Sequence, residues 1–82
     1  MGEITIYTTR YCGFCNRAKM LLSQKGIEYK EIPVDGDPEL RQKASDEAGG
    51  YTTVPMIFMG ERFIGGFTEL AQLDRDGKLV KN

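Results

Sequence analysis

TTRYCGFCNRAK, residues 8–19, holds both cysteines of the chain, Cys12 and Cys15, with two residues between them. A pair this close can be half of a zinc site, a structural disulfide or a couple that exchanges electrons. Its surroundings decide which. Upstream, EITIYT (residues 3–8) is β-branched and aromatic and predicts a strand. Downstream, Phe14, Ala18, Leu21 and Leu22 recur at the spacing of one helical face between Gly13 and Lys25, and Gly26 ends that helix. Cys12 therefore stands where a strand gives way to a helix.

The rest of the chain extends this start into an α/β pattern. EYKEIPV (28–34) predicts a second strand; Pro33 cannot donate to a ladder, so the strand lies at an edge or ends there. DGDPEL (35–40) opens a second helix with Pro38 in its first turn and Leu40, Ala44 and Ala48 as its inner stripe, stopped by Gly49 and Gly50. PMIFM (55–59) is apolar on both faces and predicts a central strand. Gly60-Glu61 suits a two-residue turn into RFIG (62–65), and a last helix from Phe67 to Asp74 carries Leu70, Ala71 and Leu73 inward. The order β-α-β-α-β-β-α joins a parallel βαβ unit to an antiparallel hairpin, giving a four-stranded mixed sheet with three helices.

Composition narrows the function. The 82 residues make one domain, 28% charged and 40% hydrophobic, as in a soluble globular protein. A net charge of −1, with Lys and Arg scattered along the chain, gives no footprint for nucleic acid. No apolar run approaches the ~20 residues of a membrane span. The stretch MGEITIYTT has no basic or long apolar region of a secretory signal, and Ile6 stands where a myristoylation pattern needs Ser or Thr. The expected compartment is the cytosol, where a disulfide is transient and catalytic rather than structural.

Two cysteines and no histidine cannot complete a four-ligand zinc site in one chain. A disulfide closing so short a loop adds little chain-entropy stabilisation. Inert buried thiols remain the bland alternative, but position argues against them. A helix N-terminus aims free N–H groups at Cys12 and favours its thiolate, with Arg10 and Arg17 near in sequence. Cys15, one turn along, is within reach of a mixed disulfide at Cys12. Without an imidazole to act as base, Cys–His acyl chemistry is excluded. Thiol–disulfide exchange is what remains.

The chain resembles the glutaredoxin family over nearly its whole length. TVP (53–55) and IGG (64–66) stand at the family's spacing after the C-x-x-C, and CNRAKMLLSQKGIEYKEIPVDGD is similar to the short bacterial members. The resemblance implies a thioredoxin-like fold with strand order 2-1-3-4, glutathione as reductant, and disulfide-containing or glutathionylated proteins as partners of a monomer. It implies Cys12 as nucleophile and Cys15 as resolving thiol, with Phe14, Thr53 and a cis Val54-Pro55 at a glutathione groove. It also implies that Gly66, Phe67 and Thr68 receive one glutathione carboxylate, and that Arg41 or Arg10 meets the other. Three departures stand out: Gly13-Phe14 replaces Pro-Tyr, Thr9 replaces a lysine, and Thr68 replaces an aspartate. Gly-Phe is typical of the one-cysteine branch, so a second expectation is a 2Fe–2S cluster held between two chains by Cys12 and glutathione.

Overall fold

The computed structural model describes residues 3–79. Its elements are β1 (Ile4–Thr8), α1 (Gly13–Gln24), β2 (Tyr29–Pro33), α2 (Pro38–Glu47), β3 (Met56–Met59), β4 (Arg62–Gly65) and α3 (Phe67–Arg75). They form one four-stranded sheet in the order β2-β1-β3-β4. The expected thioredoxin-like arrangement is therefore present. Strand β1 runs parallel to β2, from Ile4 opposite Tyr29 to Thr8 opposite Pro33, and antiparallel to β3. Strands β3 and β4 pair antiparallel across the Gly60-Glu61 turn, with an irregularity at Ile57/Phe58.

Alternation along the strands builds two apolar layers. Ile4, Ile6 and Ile57 face Ala18, Leu22 and Leu70 on one side of the sheet, joined there by Ile27 and Leu79. Met56 and Phe58 face Ala44 on the other side, with Tyr7, Tyr51, Val54 and Phe63 around them. Pro33 ends β2, which is an edge strand, so its missing N–H costs no ladder bond.

The inner face of α1 differs from the expected one. Phe14 is 56% exposed and Leu21 half-buried, while Cys15, Ala18 and Leu22 are the buried residues. Those three follow i, i+3, i+7, and Phe14 is rotated about 100° off that line. Helix α2 buries Ala44 and Ser45, leaving Leu40 and Ala48 at its margins. In α3 only Leu70 is buried; Ala71 and Leu73 are half-buried.

Candidate active site

Cys12 is the N-cap of α1, with an extended backbone (φ −133°, ψ 107°). Its Sγ accepts the N–H of Cys15 at 3.0 Å, and its carbonyl accepts the N–H of Asn16 at 3.1 Å. A sulfur here takes the place of the usual capping oxygen and satisfies one of the orphan N–H groups. The first turn of α1 carries no acidic residue, so no carboxylate competes for the positive end of its peptide dipoles.

Cys15 is placed differently. It is 0% exposed and forms part of the inner face of α1. Burial pushes its thiol up to about 12, and the contact with Cys12 raises it further than the Thr9 backbone and Lys19 can offset. At neutral pH it is a thiol. Behind it, the Glu31 carboxylate accepts from Thr8 Oγ1 at 2.7 Å and Lys19 Nζ at 3.0 Å, tying β1, β2 and α1 together. Those two donors hold Glu31 below its ordinary range, Thr8 foremost, and Glu31 in turn raises Lys19.

The open side of Cys12 faces the loop before β3. The Val54-Pro55 bond is cis, and the Val54 carbonyl lies 3.8 Å from Cys12 Sγ. From there runs a groove of about 410 Å³ between Thr53–Pro55 and the start of α3, lined also by Phe14, Gly66, Phe67 and Thr68. Phe14 and Phe67 stack with ring centroids 6.1 Å apart, and the Arg17 guanidinium sits 5.6 Å from the Phe14 centroid. Helix α3 has no side-chain N-cap; the Glu69 carboxylate accepts the Gly66 N–H at 2.7 Å. The N–H groups of Phe67 and Thr68 have no partner within the helix and lie at the groove.

Both glycines at this corner are needed. Gly65 has φ +134°, and a Cβ there would meet the Glu69 side chain at 2.6 Å. A Cβ on Gly66 would come within 2.7 Å of the Tyr51 hydroxyl.

Seven of the expected site residues thus share one groove: Phe14, Thr53, Val54, Pro55, Gly66, Phe67 and Thr68. The two arginines stand outside its lining. Arg41 donates from Nη2 to the Thr52 carbonyl at 3.2 Å, which puts it beside the loop that forms one wall. Arg10 is exposed, and its backbone N–H donates to both oxygens of Asp35, at 2.9 and 2.8 Å. Two lining residues, Tyr51 and Glu69, were not foreseen. Glu69 had a signal, the reach-back spacing of a capping box three residues after Gly66. Tyr51 had none, since its place depends on packing at 5.0 Å against Phe63 of a distant strand.

The glutaredoxin family model matches residues 4–64, a span that includes both cysteines and the Thr53–Pro55 loop. The chain belongs to the glutaredoxin family. It is 49% identical over 79 residues to a glutaredoxin of Pseudomonas aeruginosa, covering 96% of this chain and 93% of that protein. Glutaredoxin 3 of Escherichia coli is 43% identical over 79 residues, covering 96% and 94%. Among solved structures, a buckwheat glutaredoxin–glutathione complex superposes with a TM-score of 0.85 at 33% identity, covering 93% of this chain and 71% of that one. As a glutaredoxin the chain is a thiol–disulfide oxidoreductase, and Cys12 and Cys15 are the only sulfurs it has for that chemistry outside its methionines.

Proposed function

We propose that this glutaredoxin is glutathione-dependent and reduces glutathione mixed disulfides and protein disulfides through Cys12. One observation carries the reading: an accessible sulfur at a helix N-terminus opens onto a groove that ends at a second helix N-terminus, whose N-cap Gly66 offers no side chain to the Phe67 and Thr68 N–H groups. A glutathione half bound to Cys12 fits between them. The backbone of Val54 pairs with its cysteinyl unit, and the N–H groups of Phe67 and Thr68 take the γ-glutamyl carboxylate. Arg41, tethered beside the groove, is the cation for the glycyl carboxylate, with Arg10 as the alternative. The buckwheat glutaredoxin was solved with glutathione, which supports carrying that ligand over.

In the one-cysteine route, the Cys12 thiolate attacks the glutathione sulfur of a glutathionylated protein. The old disulfide breaks, the protein leaves as a thiolate and takes up a proton, and Cys12 carries glutathione. A glutathione thiolate then attacks that sulfur, freeing Cys12 and releasing glutathione disulfide. In the dithiol route, Cys12 forms a mixed disulfide with a protein. Cys15 loses its proton and attacks the Cys12 sulfur, giving a Cys12–Cys15 disulfide and a reduced protein, and two glutathiones restore the pair. The reaction needs one chain, and the cytosol is the compartment that suits it, because its glutathione pool maintains the reductant.

The 2Fe–2S expectation has no observation of its own in favour. Among the described residues no three Cys, His, Asp or Glu side chains come together as a metal site, so one chain would bring Cys12 alone. The test of the main reading is turnover of a glutathione mixed disulfide coupled to glutathione reductase, in parallel with a thioredoxin reductase assay. Activity with the first system and none with the second is expected. The reverse would refute glutathione dependence.

A further inference from the structure

A mixed-disulfide substrate has two halves, and the groove along Thr53–Pro55 accommodates one. A second groove lies along α1. It is open, about 600 Å³, and runs between α1 and the free edge strand β2, lined by Asn16, Lys19, Met20, Ser23, Tyr29 and Glu31. Asn16 is the residue whose N–H meets the Cys12 carbonyl, so the groove begins one helical turn from the reactive cysteine. The side chains of positions 16, 19, 20 and 23 follow one another along a single helix face.

Two features say what the groove suits. Among the described residues, the large hydrophobic side chains left exposed are Tyr11 (93%), Phe14 (56%) and Met20 (60%), all within nine residues of Cys12. One of them, Met20, lies in this groove and faces the half-buried Tyr29 across it. Charge is also one-sided. From Ile4 to Ile27 the chain has Arg10, Arg17, Lys19 and Lys25 and no carboxylate, although its net charge is −1. Lys19 and Lys25 are paired with Glu31 and Asp74 at 3.0 and 2.6 Å. Arg10 and Arg17 take part in no ion pair among the described residues. Inside the groove Glu31 offsets Lys19, and Asp35 lies against the Arg10 backbone. That leaves Arg17, next to Asn16 in sequence, as the unpaired cation beside the groove among the described residues. With the exposed Met20 this favours an acidic partner with an apolar anchor.

We propose that the α1/β2 groove docks the protein half of the substrate: an extended segment beside the target cysteine that carries an apolar side chain for Met20 and Tyr29 and a net negative charge. From Asn16 to Ser23 the helix advances about 10 Å, the length of about three extended residues. The segment is therefore short, and because Met20 lies about 12 Å along α1 from Cys12, its apolar residue sits three or four positions from the cysteine. This inference rests on the glutathione reading above, because it assigns the first groove to glutathione.

The test uses three substrates with the intact protein. One is the mixed disulfide of glutathione with 2-mercaptoethanol. The others are glutathionylated six-residue peptides, one with two Glu and with Leu three positions from the cysteine, and one with two Lys and Gly at the same places. The acidic apolar peptide is expected to show kcat/KM at least five-fold above the basic one, with the gap shrinking as salt is raised. Met20→Asp, an exposed change that leaves the core untouched, should erase most of that preference and leave the small substrate within two-fold. Arg17→Glu should reduce the preference to a smaller extent. Equal kcat/KM for both peptides, or a preference that survives Met20→Asp and Arg17→Glu together, would overturn the docking groove while leaving glutathione dependence standing. No turnover of the small substrate by the unsubstituted protein would overturn the glutathione reading itself and this assignment with it.

Discussion

On the α1/α3 side of the sheet, Ile4, Ile6, Ala18, Leu22, Ile57 and Leu70 are all at 0–1% exposure, an aliphatic layer closed to water. On the α2 side the buried hydrophobic cluster is only Ala44, Met56 and Phe58, and Tyr7, Tyr51, Val54 and Phe63 around it keep part of their surface in solvent. The two cysteines divide along the same line. Cys15 is fully buried on the inner face of α1, in the company of the first layer, while Cys12 leans toward Val54, which packs on the second. The closed layer supplies rigidity and keeps one thiol protonated. The half-open layer supplies aromatic walls and a loop whose backbone can be reached.

Breaking the division between the thiols should have the largest effect. Cys12→Ser is expected to abolish turnover of every disulfide substrate. Cys15→Ser should keep deglutathionylation and lose reduction of protein disulfides that need the dithiol route. Full deglutathionylation by Cys12→Ser would remove Cys12 as nucleophile.

The two layers separate by stability against KM. Leu22→Ala deletes a fully buried side chain and should cost about 2–5 kcal/mol in denaturant unfolding, with kcat/KM per folded molecule unchanged. Phe63→Leu removes a half-buried ring that Tyr51 leans on at 5.0 Å, so it should cost only about 1 kcal/mol or less yet raise KM for a glutathionylated substrate. If both variants move KM equally, the contrast between a structural and a functional layer fails.

Alkaline pH tests the burial of Cys15. Folded, its thiol is raised to about 12; unfolded, it ionises from its ordinary value of 9.0. Above that value the unfolded chain loses a proton that the folded chain keeps. The contribution of Cys15 to stability is therefore full below pH 9.0 and declines as pH rises toward 12. Urea midpoints of the reduced protein should fall on raising the pH through this window, and fall less for Cys15→Ala. Parallel curves for the two proteins would contradict the burial assigned to this thiol.

The smallest effect belongs to the rim. Arg41→Ala should raise KM for a glutathionylated substrate by a few-fold, on the order of 1 kcal/mol or less, with kcat nearly constant, because a partly exposed ion pair is weakened by solvent. Arg10→Ala should do less, since Arg10 is held by its backbone to Asp35 on the β2 side of the site. Unchanged KM in the double variant would leave the backbone N–H groups of Phe67 and Thr68 as the anchors.

Local chemistry alone determined most of the architecture. Apolar period, Pro33, Pro38 and the glycines punctuate the chain at positions that agree with the observed elements to within a residue or two, because helix and strand boundaries are set by neighbours a few positions apart. The placement of Cys12 at a helix start was likewise legible in the sequence, since a capping sulfur depends only on its own helix. Which side of α1 faced the sheet was not local. Phe14 looked like core by hydrophobicity, and the sheet chose Cys15 instead, one residue and about 100° away. Tyr51 and the Phe63 ring it packs on lie 12 positions apart along the chain, and the groove wall at Tyr51 exists only once α2 and the β3-β4 hairpin have docked. The same docking left both arginines outside the groove lining, Arg41 with its guanidinium on the Thr52 carbonyl and Arg10 with its backbone N–H on Asp35. Sequence spacing reports which groups are available; which of them meet is decided by the packing of distant elements into one body.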